Sequence, residues 1–82
     1  MWNINEDILY NKLIFIIKYI FQNNPKKIID LSYLGLLLKQ EFKRRNIIIT
    51  FNHKIRNINY YIKKKYHNLS SFMNQNINQI LM

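Results

Sequence analysis

Eighty-two residues, with 13 Lys plus Arg against 4 Asp plus Glu, give a chain of formal charge +9 that supports one small domain over residues 1–82. Hydrophobic residues make up 49% and aromatics 15% of the chain, which excludes the disordered class. There are no cysteines, so disulfide scaffolds and thiolate metal sites are excluded, and an intracellular location is expected.

The first predicted helix runs from Ile8 to about Gln22, with Leu9, Leu13, Ile16, Ile17 and Ile20 on one face at helical spacing. Glu6 and Asp7 precede it, where negative charge suits the positive end of the helix dipole. Asn23-Asn24-Pro25 should end it, because the residue before a proline avoids helical angles. This greasy stretch contains Asn11, Lys12 and Lys18 and falls short of the roughly 20 apolar residues a bilayer span needs, so it reads as a core helix. The residues before it lack a basic n-region and a small-residue cleavage site, arguing against a secretory signal. Lys26 to Asp30 is short, with Ile28 and Ile29 extended.

A second helix is predicted from about Leu31 to Arg45, capped by Asp30 or Ser32, with Leu31, Leu34, Leu38 and Phe42 as its buried stripe. Gly35 sits mid-helix, where glycine costs about 1 kcal/mol relative to alanine, and close approach of another helix is the expected compensation. Ile47 to Phe51 is a β-branched run, either a short strand or a buried extended connector. Asn52 is read as the cap of a third helix from about His53 to Tyr66, with Ile55, Ile58, Ile62 and Tyr66 inward. His67-Asn68 breaks it, and Leu69 to Met73 reads as a brief strand. Residues 74–82 form either a returning strand or a frayed tail, leaving a core of about residues 7–73. The expected fold is mainly α: a compact three-helix core with a small β element, winged helix-turn-helix-like.

The distribution of charge carries more information than its sum. The chain has 16 Ile and 13 Asn but no Val or Ala, a profile that AT-rich codons would produce, so part of the lysine excess reflects codon bias. Yet all four acids (Glu6, Asp7, Asp30, Glu41) lie in residues 1–41, among five lysines. Residues 42–82 carry Lys43, Arg44, Arg45, Lys54, Arg56, Lys63, Lys64 and Lys65 and no acid. Codon bias does not account for that asymmetry, and a one-sided positive field draws in phosphates or acidic protein surfaces.

Catalytic chemistry has little to work with, and the chain is expected not to be an enzyme. His53 and His67 have no carboxylate near them in sequence, metal ligands are too few, and one glycine cannot build a phosphate loop. No cofactor or metal is expected. If the third helix turns Ile55, Ile58 and Ile62 inward, its opposite face holds Arg56, Asn57, Tyr60, Lys63 and Lys64. Arg56, Tyr60 and Lys63 then form a row with an aromatic ring between two cations, which can pair with phosphates while the ring stacks on a base. A solvated charged face is the plainer alternative. Lys43, Arg44, Arg45 and Lys54 would back the row, although the first three also suit the end of the second helix.

Apolar residues interrupt two polar faces. Leu36 sits among Lys39, Gln40 and Lys43, while Ile8, Phe15 and Tyr19 lie among Asn11, Lys12, Lys18 and Gln22. Phe15, Tyr19 and Leu36 are candidates for a protein partner, or for cover by the C-terminal tail. Adsorption of the basic helix to anionic lipid is a third option.

With these elements placed, the stretch from about Asp7 to Phe72 resembles a LOTUS domain, the OST-type helix-turn-helix. Leu31-Ser32-Tyr33-Leu34-Gly35, followed by Leu38, matches the "LSxLG" opening of that family's second helix. Phe51, His53, Ile55, Ile58 and Ile62 occupy the places of its "yGf-kLxxfl" segment, and Phe72 falls where the first wing strand begins. Asn52 or His53 replaces the family's usual glycine before the third helix. The resemblance implies a winged helix-turn-helix of the kind found in RNA-regulating proteins. Two roles follow from it: RNA binding, including G-rich and structured forms, and docking onto a DEAD-box RNA helicase. The expectation is a non-enzymatic RNA-binding module, with DNA left open and protein docking as the alternative. A cytoplasmic rather than nuclear location is expected.

Overall fold

A computed structural model describes residues 1–26 and 28–81; Lys27 and Met82 lie outside the described residues, as does the end of the expected tail. The elements run α1 (Glu6–Gln22), α2 (Leu31–Arg44), β1 (Ile49–Phe51), β2 (Lys54–Arg56), α3 (Ile58–Tyr66), α4 (Leu69–Gln75) and α5 (Ile77–Leu81). The fold is mainly α, with α1, α2 and α3 around one apolar core and a two-stranded antiparallel sheet beside them.

The two long helices follow their sequence periods. The stripe Leu9, Leu13, Ile16, Ile17 and Ile20 of α1 is buried in full. Asn5 caps α1 by accepting from the backbone N–H of Asp7 at 2.8 Å and of Ile8 at 3.3 Å. At its other end, the side-chain amides of Asn23 and Asn24 donate to the Tyr19 and Ile20 carbonyls, each at 2.8 Å. In α2, Leu34, Leu38 and Phe42 are buried, but Leu31, placed inward by its spacing, is exposed at the first helical position. Asp30 is the cap of α2, accepting from Tyr33 N–H at 2.7 Å. The helix ends in a Schellman arrangement: Asn46 takes a left-handed φ of 56° and donates to Lys43 O, while Ile47 N–H donates to Phe42 O.

The middle of the chain departs from its helical reading. Asn52 and His53 do not open a helix; with φ of 51° and 68° they form the tight turn of a β-hairpin. Two consecutive left-handed residues are what a type I′ turn asks for, and Asn and His tolerate that region better than most non-glycine residues. Ile49, Thr50 and Phe51 pair with Arg56, Ile55 and Lys54. Ile55, placed in the core by its spacing from Ile58 and Ile62, is instead 77% exposed on β2, opposite Thr50. α3 begins at Ile58, capped by Asn57, whose side chain accepts from Tyr60 N–H at 3.1 Å. The N-terminal residues line the hairpin's free edge. Trp2 bridges Phe51, Asn3 N–H donates to Thr50 O at 3.0 Å, and Asn52 N–H donates to Met1 O at 2.9 Å.

The C-terminal segment is helical too. Leu69 to Met73, expected as a strand, lies in α4, capped by Asn68, which accepts from Ser71 N–H at 2.7 Å. Phe72 is therefore a fully buried helical residue and not part of a wing strand. The tail, expected as a strand or frayed, forms α5 over residues 77–81 and packs on α1 through buried Ile80. Asn76 joins α4 to α5 and accepts from the Tyr10 hydroxyl at 2.6 Å.

Gly35 meets α3 and α4, as the mid-helix glycine suggested. Asn59 Nδ2 donates to Gly35 O at 3.0 Å, and a Cβ at position 35 would lie 3.6 Å from Asn59 Oδ1 and 3.9 Å from a Leu69 methyl. Those are ordinary contacts, so the glycine is compatible with close packing but not demanded by it. Gly35→Ala should raise the thermal midpoint, by up to about 1 kcal/mol of added stability. His53→Gly should also stabilise, by roughly 0.5–1 kcal/mol, since glycine takes the left-handed turn position without steric cost but loses more chain entropy. Denaturant melts of both variants check these signs.

Candidate nucleic-acid interface

The eight cations of residues 42–82 separate into two groups according to which acids reach them. Three are paired with acids from the first half of the chain. Arg44 makes a two-pronged contact to Glu41, Nη2 to Oε1 at 2.7 Å and Nε to Oε2 at 3.2 Å, and Arg45 Nε reaches Oε1 at 3.3 Å. Lys65 Nζ reaches Glu6 Oε1 at 3.0 Å, tying α3 to the start of α1. These pairs hold the Glu41 carboxyl below the usual range, chiefly through the Arg44 hydrogen bond, and push Lys65 up, chiefly through its bond to Glu6. Lys43, Lys54, Arg56, Lys63 and Lys64 have no carboxylate within ion-pair distance among the described residues.

Three of those five cations, Arg56, Lys64 and Lys54, can be traced through a connected set of contacts. On α3, Ile58, Tyr61 and Ile62 are buried, leaving Tyr60, Lys63 and Lys64 on the outward side. Arg56 is on β2 and not in the helix, yet its guanidinium still lies 4.4 Å from the Tyr60 ring. Lys64 Nζ is 4.7 Å from the Phe51 ring and 5.9 Å from Tyr60. Lys54 stands directly across the hairpin from Phe51. Trp2 supports the cluster from behind, 4.7 Å from Phe51, 6.0 Å from Tyr60 and 5.2 Å from buried Tyr61. The result is an aromatic ridge flanked by cations, each such contact worth about 0.5–1 kcal/mol at an exposed site.

Lys43 joins from the other side. Between the end of α2 and the root of the hairpin lies a cavity of about 360 Å³ whose lining includes Lys39, Lys43 and Arg56 and contains no acid. Arg56 thus borders the cavity while stacking on Tyr60, and its Nε–H is buried without a hydrogen-bond partner. Asn57, expected to contact nucleic acid, also lines this cavity, but its side-chain oxygen is committed to capping α3.

Arg44 and Arg45 belong elsewhere. Arg45 lies over the Tyr19 ring at 4.6 Å and near Phe15 at 5.7 Å, and Arg44 is 5.9 Å from Tyr19. They cover part of the α1 face that carries two of the candidate partner residues. Phe15 remains 61% exposed beside a second cavity of about 400 Å³ bordered by Ile8, Lys12, Arg45 and Ile47. Among the described residues, none of the C-terminal tail lines this cavity. Leu36 is exposed on the opposite side of α2 from Arg45, so Phe15, Tyr19 and Leu36 do not form one surface.

Trp2, Phe51 and Lys39 are site residues that the sequence reading did not assign. Phe51 and Lys54 flank a turn pair, a signal that points to the hairpin; Trp2 gives no periodic signal at all. The inner face of α3 holds one more unpaired group, the hydroxyl of Tyr61, whose burial pushes its phenol well above the ordinary range. Tyr66 adds to that shift, yet no partner meets hydrogen-bond geometry. No helix among the described residues is long and apolar enough to cross a membrane. No family model, curated protein or solved structure matches the chain.

The Glu41 cluster has a pH signature. A carboxyl whose pKa is lowered by folding stabilises the protein above its unfolded pKa, and that contribution is lost as pH falls through the lowered value. The thermal midpoint of the wild type should therefore approach that of Glu41→Gln between about pH 5 and about pH 3. The gap should be small and shrink in salt, because Arg44 is largely exposed.

Proposed function

We propose that the chain is a non-enzymatic nucleic-acid-binding module that takes RNA as its ligand inside the cell, in the cytoplasm. The observation that carries this reading is the ridge itself: Tyr60 lies between Arg56 and Lys64, with Lys43, Lys54 and Lys63 to extend it and no acid paired to any of them among the described residues. Exposed cations neutralise phosphates, while an aromatic ring between them offers a stacking surface to a base. Arg44 and Arg45 share the single carboxylate of Glu41 and Lys65 pairs with Glu6, so these three are given structural roles ahead of the unpaired cations. Of the residues on which the LOTUS resemblance rests, Leu34, Gly35 and Leu38 are helical in α2, whereas His53 and Ile55 lie in the hairpin and not in the third helix. The resemblance loses its wing segment at Phe72.

A protein-docking role has one favourable observation, the exposed Phe15 beside the second cavity. A DEAD-box helicase is the partner that the family resemblance suggests for it.

The double variant Lys63→Glu with Lys64→Glu tests the main reading. Both residues are exposed, so the circular dichroism spectrum should be unchanged, while affinity for single-stranded RNA should fall at least about tenfold. Wild-type affinity should drop linearly with salt on logarithmic axes, and the variant's slope should be shallower by about 1–2. Retention on RNA equal to that of the wild type would remove this face from consideration.

A further inference from the structure

The cavity between α2 and the hairpin is built differently from the ridge beside it. Its floor is apolar core: Phe42, Ile49 and Ile58 are buried. Ile48 and Ile55 form its lips and are 64% and 77% exposed, an unusual pair of large aliphatic side chains to leave in water at one place. Lys39, Lys43 and Arg56 bring positive charge to the same lining, and no acid offsets it. A phosphate would gain nothing from the floor, and an apolar group alone would gain nothing from the three cations. The site suits a ligand that is flat or apolar at one end and anionic at the other.

We propose that this cavity receives one unstacked nucleobase of a single-stranded RNA segment, with the flanking phosphates held by Lys39, Lys43 and Arg56. The inference rests on the nucleic-acid reading above and narrows it to unpaired strands, since a base within a duplex cannot leave its stack without losing its pairing. Continuity favours a polymer over a small amphipathic anion. Arg56 is shared between the cavity and the ridge, and the cations continue past Tyr60 to Lys64 and Phe51, farther than one anionic head group needs. The strand thus meets the protein twice: one base inserts at the cavity and a neighbouring base lies on Tyr60.

The test compares three fluorescently labelled probes on the full chain: a single-stranded RNA, the same strand annealed to its complement, and an abasic sugar–phosphate strand of equal length. Wild type should bind the intact single strand about tenfold more tightly than either of the others. Ile48→Ser with Ile55→Ser opens the lips at two exposed positions and should leave the helical spectrum intact. It should cut the preference for base-bearing over base-free strands severalfold, leaving the part contributed by stacking on Tyr60, without weakening the base-free complex. Lys39→Gln should weaken binding of every strand and make the salt slope shallower by about 1. A 2-aminopurine placed in the strand should brighten on binding wild type, as an unstacked base does, and not on binding the serine variant.

Equal wild-type affinity for intact and base-free strands would overturn the cavity assignment while leaving the ridge as a phosphate-binding face. An unchanged preference in the serine variant would do the same. Absence of binding to all three probes would overturn the nucleic-acid reading and this inference with it.

Discussion

The burial of one side of α3 fixes the rest of the structure. A helix of nine residues is too short to hold itself together in water, so its orientation comes from what it packs against. Ile58 and Ile62 supply aliphatic contact, and Tyr61 anchors a run of aromatic rings that crosses the molecule. From Tyr61 the run reaches Trp2 at 5.2 Å on one side. On the other it passes to Tyr66 at 6.2 Å, then Phe72 at 4.8 Å, then Tyr10 at 6.1 Å. Edge-to-face pairs of this kind add about 0.5–1.5 kcal/mol each beyond the area they bury. Together they join the N-terminal segment, α1, α3 and α4, and they leave Lys63 and Lys64 facing water with Tyr60 half-buried beside them.

How much of this could be read from the sequence depended on whether local and tertiary signals agreed. In α1 and most of α2 they did, because a long apolar period and a capping residue point to the same element. At residues 52–58 two local readings competed. Ile55, Ile58 and Ile62 fit a helical stripe with Asn52 as cap, but Ile49 to Arg56 fits a hairpin and Asn57 is an equally good cap. The hairpin prevails because Trp2 and Asn3 complete its edge, a partner far away in sequence. Leu69 to Met73 was ambiguous for another reason: a short apolar run has no decisive period, and Phe72 finds its place against Tyr66 only inside a helix.

The candidate site divides along the same line. The outward position of Tyr60, Lys63 and Lys64 was legible, since Ile58 and Ile62 alone set that face. Arg56 reached the expected neighbourhood by a different route, from a strand. The capture of Lys65 by Glu6 was not legible, because those residues stand 59 positions apart and nothing local links them. Asparagine is a further case. The excess of that residue resembles codon drift, yet Asn5, Asn57 and Asn68 cap helices, Asn46 and Asn52 take left-handed turns, and Asn76 pins Tyr10. Whatever put asparagine there, the fold uses it at the starts of α1, α3 and α4, at the end of α2 and in the hairpin turn.

The pairing of Trp2 with Phe51 has a consequence for the order in which the molecule takes shape. Trp2 and Phe51 lie far apart in sequence, and closing so wide a loop carries an entropic penalty that nearby contacts do not, which favours a late closure of this pair. The helices, built from neighbours, can assemble ahead of it. Of all the aromatic groups in the run, the indole emerges earliest during synthesis and is seated among the last.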